Sequence, residues 1–266
     1  MKRYALLLMI AASVVFGGRA EILRVLAIGN SYSANSVEQN LYELALSQGD
    51  TLLLANAYIS GCDLDRHYSN LLSDNPAYGY RRVESGVRSE TKNVTLRHII
   101  TDEPWDVITL QQSSKLSGDS GSFGNLAALK DSVAALAVNP DVDFVWHHTW
   151  AYAADYTSPN FSRYGFSQDA MHDSIVNAVN TVVAPHRFVG IIPTGVAVRI
   201  ARARFDSQLS DDGTHLSPSL GVYLAACVWC EYLLGRPVTD SQWHPQSVSP
   251  EDAAIAREAA HDAFTL

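Results

Sequence analysis

Five short apolar, β-rich runs recur along this chain, at residues 23–28, 52–59, 106–111, 144–149 and 188–192. Stretches with helical spacing of apolar residues separate them. Parallel strands need crossover connections of a dozen or more residues, which helices supply. The alternation therefore predicts an α/β domain, a five-stranded parallel sheet covered by helices on both faces. Such sheets bind ligands beyond the carboxyl ends of their strands. The residues just after each run are thus the ones to inspect for chemistry.

Local signals place the helices. Ser36 and Gln39 have capping-box spacing and predict a helix through Leu41, Leu44, Ala45 and Leu46, stopped by Gly49. Asp63 can cap a second helix through Leu72. Shorter or longer helices are expected at 94–100, 123–138, 168–183 and up to Phe205. Ser217-Pro218 and Ser249-Pro250 each read as an N-cap followed by proline at the first helical position. The helix after Ser217 runs to Gly235 and is apolar on most faces, so it should be buried.

Residues 73–92 break the rhythm. They are polar and rich in Tyr and Arg, and residues 80–91 could form a hairpin turning at Ser85-Gly86. This insertion is either one wall of a binding site or a solvated surface flap.

The first twenty residues stand apart. Lys2 and Arg3 precede an apolar run at 4–16, and Gly18-Arg19-Ala20 offers small residues to a signal peptidase. Residues 1–20 read as a signal peptide, with 21–266 as a single domain in the periplasm or outside the cell. An uncleaved anchor is the alternative; the run is short for a spanning helix, and no span is expected after cleavage. The chain carries a net charge of −9 with no basic stripe, which argues against nucleic acid as a partner. Three cysteines make no disulfide framework, and Cys227 and Cys230 read as packed core thiols.

Four candidate sites fall after strands or before a capped helix. Gly29-Asn30-Ser31-Tyr32-Ser33 follows the first run and would expose the Ser31 hydroxyl at a helix start. Gly61 follows the second run, where a glycine lets a backbone N–H approach a ligand. Gln111 and Gln112 follow the third and could supply a side-chain amide donor. Asp212 and His215 are three apart in a loop, where the carboxylate could fix the imidazole tautomer. Cys62 is a rival nucleophile with no base placed beside it. Of His147 and His148, at most one can line the site, because adjacent strand residues face opposite ways. Trp150 and Tyr152 are either an aromatic platform for a sugar ring or core packing.

Taken together, Gly29 to Ser33, Leu110 to Ser113, Thr149 to Tyr152 and Asp212 to His215 resemble the SGNH (GDSL-like) hydrolases. More narrowly, they resemble a bacterial branch described as a domain of unknown function, DUF4886. The resemblance covers essentially the whole mature chain. It implies a flavodoxin-like three-layer α/β/α sandwich, with Ser31 as nucleophile, His215 as base and Asp212 orienting it. It also implies an oxyanion hole from the N–H groups of Ser31 and Gly61 and a side-chain amide. The wider family has Asp where this chain has Asn30, and its Gly-x-Asn-Asp segment is missing here. Gln112 is the first candidate for the third donor and Gln111 the second. Asn30, Tyr32, Trp150 and Tyr152 are expected to line the substrate site.

The activity so implied is hydrolysis of carboxylic esters through an acyl-enzyme, without metal or organic cofactor. A carbohydrate O-acetylesterase acting on a small-molecule or oligosaccharide ester is the expected form. The alternatives are a lipid or small-ester hydrolase, and a non-catalytic glycan-binding protein on the same scaffold.

Overall fold

A computed structural model describes residues 22–265; the expected signal peptide lies outside the described residues. Among these, β1 (Leu23–Gly29), β2 (Leu52–Tyr58), β5 (Val107–Leu110), β6 (Asp143–His147) and β7 (Gly190–Ile192) correspond to the five expected runs. They form the parallel part of one sheet, in the order β2-β1-β5-β6-β7. Counted among themselves, these strands have the flavodoxin-like order 2-1-3-4-5. Its switch point lies between β1 and β5, and ligands collect there.

Among the described residues the sheet has seven strands rather than five. The insertion supplies β3 (Tyr78–Glu84) and β4 (Val87–Val94), an antiparallel hairpin that pairs with β2. Ser85 and Gly86 both have positive φ, 51° and 76°, as a two-residue hairpin turn matched to strand twist requires. Arginines dock the hairpin onto the body. Arg82 pairs with Asp102 and Glu103 at 2.6 and 2.8 Å, Arg81 with Glu38 and Glu90, and Arg88 with Glu43. The three arginines of the hairpin are thus matched by this chain's own carboxylates.

One face of the sheet carries α1 (Ser31–Val37), α2 (Leu41–Ser47), α7 (Thr194–Phe205), α8 (Leu220–Leu234) and α9 (Pro250–Asp262). On the other lie α3 (Leu64–Leu72), α4 (Leu96–Asp102), α5 (Leu126–Ala134) and α6 (Gln168–Ala178). Side chains alternate accordingly: Val25 and Ala27 face the first group, Leu26 and Ile28 the second. Twelve consecutive residues of α8, Leu220 to Glu231, are buried, which explains its apolar character all round. Cys227 and Cys230 are buried within it, and burial pushes the Cys230 thiol up to about 12.

Two cap assignments need correction. Ser36 does not open a helix. It sits inside α1, where its hydroxyl donates to the Tyr32 carbonyl, and Asn30 caps that helix instead. Ser219, not Ser217, is the N-cap of α8; the Ser217 hydroxyl accepts from Gly221 N–H one turn inside. Asp63 and Ser249 do cap α3 and α9 through side-chain acceptors. The helix expected over 168–183 ends at Ala178 and continues as one wider turn over Val179–Val183.

Four imidazoles are buried. Burial pushes His67 and His172 down to about 4, and His147 and His148 to about 3. In the unfolded chain each would take a proton near pH 6.5. Below that pH the unfolded state binds protons the folded state refuses, so stability rises with pH through this window. Each group contributes at most about 1.4 kcal/mol per pH unit. The urea midpoint is therefore expected to fall steadily from pH 7 to pH 4.5; a flat profile would contradict the neutral burial of these rings.

Candidate active site

β1 ends at Gly29, and the position admits nothing larger. A Cβ there would lie 2.5 Å from the Ser33 hydroxyl and 3.0 Å from the Gln111 amide. Asn30 is extended and caps α1 by accepting from Tyr32 N–H at 3.0 Å. Ser31 is then the first helical residue, half-buried at the carboxyl edge of the sheet.

The second arm is the loop between α7 and α8, closed by an isolated bridge between Ser210 and Leu216. Asp212 organises it. One carboxylate oxygen accepts from the N–H groups of Thr214 and His215 at 2.8 and 2.7 Å, and from the Thr214 hydroxyl at 2.9 Å. The other oxygen is 2.5 Å from His215 Nδ1. His215 Nε2 lies 2.8 Å from Ser31 Oγ. Three residues from two distant stretches are so brought into one hydrogen-bonded chain.

The electrostatics suit a base. Partial burial raises the Asp212 carboxyl, but hydrogen bonds from the His215 side chain, its N–H and Thr214 outweigh it and hold the group well below the usual carboxylate range. An ionised Asp212 keeps the Nδ1 proton on His215 and leaves Nε2 to accept from Ser31. Both side chains remain open, Asp212 at 53% and His215 at 41% exposure.

Gly61 has φ +61° and open space in front of it. Its loop is tied to the nucleophile turn: Ile59 N–H donates to the Gly29 carbonyl, and Asn30 Nδ2 donates to the Cys62 carbonyl at 2.9 Å. Asn30 Oδ1 also accepts from Gln111 Nε2 at 2.9 Å. Asn30 is thus a buried tie between strands rather than a substrate-facing group. An aspartate here would set a carboxylate oxygen against the Cys62 carbonyl, which gives a physical reason for the amide in this chain.

The amide donors expected after β5 are engaged elsewhere. The Gln112 NH₂ donates to the Ser122 carbonyl and hydroxyl, and its oxygen accepts from Leu64 and Ser113. Gln111 links Asn30 to His147 Nδ1, which is 2.8 Å from its carbonyl oxygen. The hydrogen bonds of Gln112 are a correction to the first-choice assignment, because its NH₂ already has two acceptors. Cys62 is buried, and burial pushes its thiol up to about 12, so it is no thiolate.

The aromatic residues also differ from expectation. Tyr32, Trp150 and Tyr152 are each at most 2% exposed, so none offers a face to a sugar. Tyr32 and Trp150 stack on each other, ring centroids 4.0 Å apart and nearly parallel, and Tyr32 meets the His215 ring edge-on. Trp150 Nε1 donates to the Thr214 carbonyl at 2.8 Å. Tyr152 shares a hydrogen bond with Ser114. Of the two histidines, His147 joins the Gln111 network behind the site, while His148 packs near His172. Sequence reasoning missed Asn35, whose side-chain oxygen accepts from Leu216 N–H and ties α1 to the His215 loop; nothing in its local pattern signals this.

The 2-1-3-4-5 parallel sheet is the fold of the SGNH, or GDSL-like, class, and the chain shares it with a putative GDSL-like lipase from Parabacteroides merdae at 13% identity and a TM-score of 0.50, covering 80% of this chain and 98% of its own. Within that class the chain belongs to the DUF4886 family, a domain of unknown function whose profile matches residues 24–263. A DUF4886 family protein from Bacteroides uniformis is 38% identical over 92% of this chain and 95% of its own, with a TM-score of 0.89. A family 3 carbohydrate esterase from Clostridium thermocellum shares the fold at 15% identity and a TM-score of 0.50, covering 81% of this chain and 96% of its own. No curated protein matches the chain.

Proposed function

We propose that this protein is a serine esterase that hydrolyses carboxylic esters through an acyl-enzyme, and that it removes acetyl groups from carbohydrates outside the cytoplasm. The 2.8 Å contact between Ser31 Oγ and His215 Nε2, with Asp212 behind the ring, carries this reading. In the first step Ser31 Oγ attacks the ester carbonyl as its proton passes to His215 Nε2. The N–H groups of Ser31 and Gly61 receive the oxyanion. His215 then gives the proton to the departing alcohol. Water, deprotonated by the same nitrogen, attacks the acyl carbon and releases acid and free Ser31. Asp212 remains ionised throughout and stabilises the imidazolium.

The carbohydrate assignment draws on the openness of the Asp212–His215 loop, which leaves room for a bulky polar alcohol, on the signal-like N-terminus, and on the fold shared with a carbohydrate esterase. A fluorophosphonate probe tests the chemistry. It is expected to phosphonylate Ser31 and no other serine, read by mass spectrometry of the peptide, and only protein not treated with the probe is expected to hydrolyse acetylated oligosaccharides to acetate and the deacetylated sugar. An unlabelled Ser31 would leave a glycan-binding protein on a hydrolase scaffold.

A further inference from the structure

The Asp212–His215 loop is not held by its own burial, since both side chains are more than 40% exposed. It is held from the segment that follows β6. Trp150 Nε1 donates to the Thr214 carbonyl, the peptide just before His215, and Ala153 N–H donates to the Gly213 carbonyl, each at 2.8 Å. The same indole is stacked at 4.0 Å on Tyr32, the residue just after Ser31. One rigid side chain therefore touches the immediate neighbours of both hydrogen-bonding partners. The indole is itself fixed. It is 1% exposed, and its backbone nests against α7 where a Cβ on Gly195 would collide with the Thr149 carbonyl and crowd Trp150 Cα.

We propose that Trp150 is a positioning residue that sets the Ser31–His215 distance, with its N–H holding the base arm and its ring face holding the nucleophile arm. This rests on the serine-esterase reading. The indole contacts no reacting atom; it acts through His215. Losing the N–H while keeping an aromatic ring frees the Thr214 peptide, and a shift of about 1 Å in such a site costs up to about 100-fold in rate.

The test is Trp150→Phe, assayed with p-nitrophenyl acetate alone and in a His215→Ala background. A kcat loss of about 10- to 100-fold with KM changed less than about threefold is expected in the otherwise native protein. In the His215→Ala background the same change is expected to add nothing, because phenylalanine keeps a ring against Tyr32 and the lost N–H acts only on the arm that carries His215. An unchanged kcat, or an equal loss with His215 absent, would overturn the proposal. If the phenylalanine variant loses its near-ultraviolet circular dichroism, benzothienylalanine at position 150 keeps the bicyclic ring and removes only the donor; native kcat there overturns it equally. Full turnover by His215→Ala alone would instead sink the esterase reading, and this inference with it. A silent Trp150→Phe beside an inactive His215→Ala sinks the inference alone.

Discussion

Replacing Ser31 by Ala, His215 by Ala, or both together is expected to give the same loss of ester turnover, on the order of 10⁴- to 10⁶-fold in kcat. The equality is the informative part. Ser31 Oγ and His215 Nε2 share one proton across 2.8 Å, so neither has a function in the attack without the other. Once the hydroxyl is gone, the imidazole has no nucleophile to activate, and the second substitution removes nothing further. Steady-state assays on p-nitrophenyl acetate measure all three variants. Losses that multiply would mean that the two side chains act independently, which the hydrogen-bonded chain does not allow. Asp212→Asn should fall short of these losses, because the backbone and Thr214 still hold the loop while the tautomer preference is lost.

Gly213→Ala should be the most damaging change outside those three residues, with a kcat loss of about 100-fold or more. Two independent reasons converge on this position. Its φ is +82°, a conformation that L side chains rarely adopt. An added Cβ would also lie 2.5 Å from Tyr156 Cδ2. Either the loop or the tyrosine must move, and the loop is the one that carries Asp212 and His215. The loop from Ser210 to His215 is itself half-buried or exposed, so the thermal midpoint should shift by only a few degrees. Parallel measurement of kcat and of the midpoint separates this from general unfolding. A near-native kcat would show that the loop tolerates displacement and that its geometry matters less than argued.

Most of the parallel sheet was legible because each strand is a compact apolar run followed by a helix, a pattern set locally. The hairpin at 80–91 was legible as a hairpin, down to its turn at Ser85-Gly86. That it would join the sheet was not, because the register of Tyr80 against Ala57 is a long-range pairing with no sequence signature. Ser36 misled for a related reason. Its spacing to Gln39 matches a capping box, but the chain had already begun a helix five residues earlier at Ser31. At the candidate site, Ser31, Asp212 and His215 stand out in the sequence by position and residue type, and the fold brings their side chains within hydrogen-bonding distance. The direction of the Gln112 side chain is not legible there, since it depends on which way the chain turns once β5 has ended. Trp150 shows the limit in another form: its sequence position leaves platform and core packing both open, and only the fold, which leaves it 1% exposed, decides between them.

The hairpin also determines how this molecule meets its neighbours. Without β3 and β4, the outermost strand on that side would be β2, whose stretch from Leu54 to Tyr58 would present unpaired backbone groups. Such a border templates sticking between chains. The strand that actually lies outermost, β4, alternates Arg88, Glu90 and Lys92 with small polar residues and is exposed over seven of its eight positions. Trimming the insertion to reach a minimal domain would therefore trade a self-avoiding rim for an adhesive one, and the truncated protein would be limited by its solubility before its catalysis could be measured.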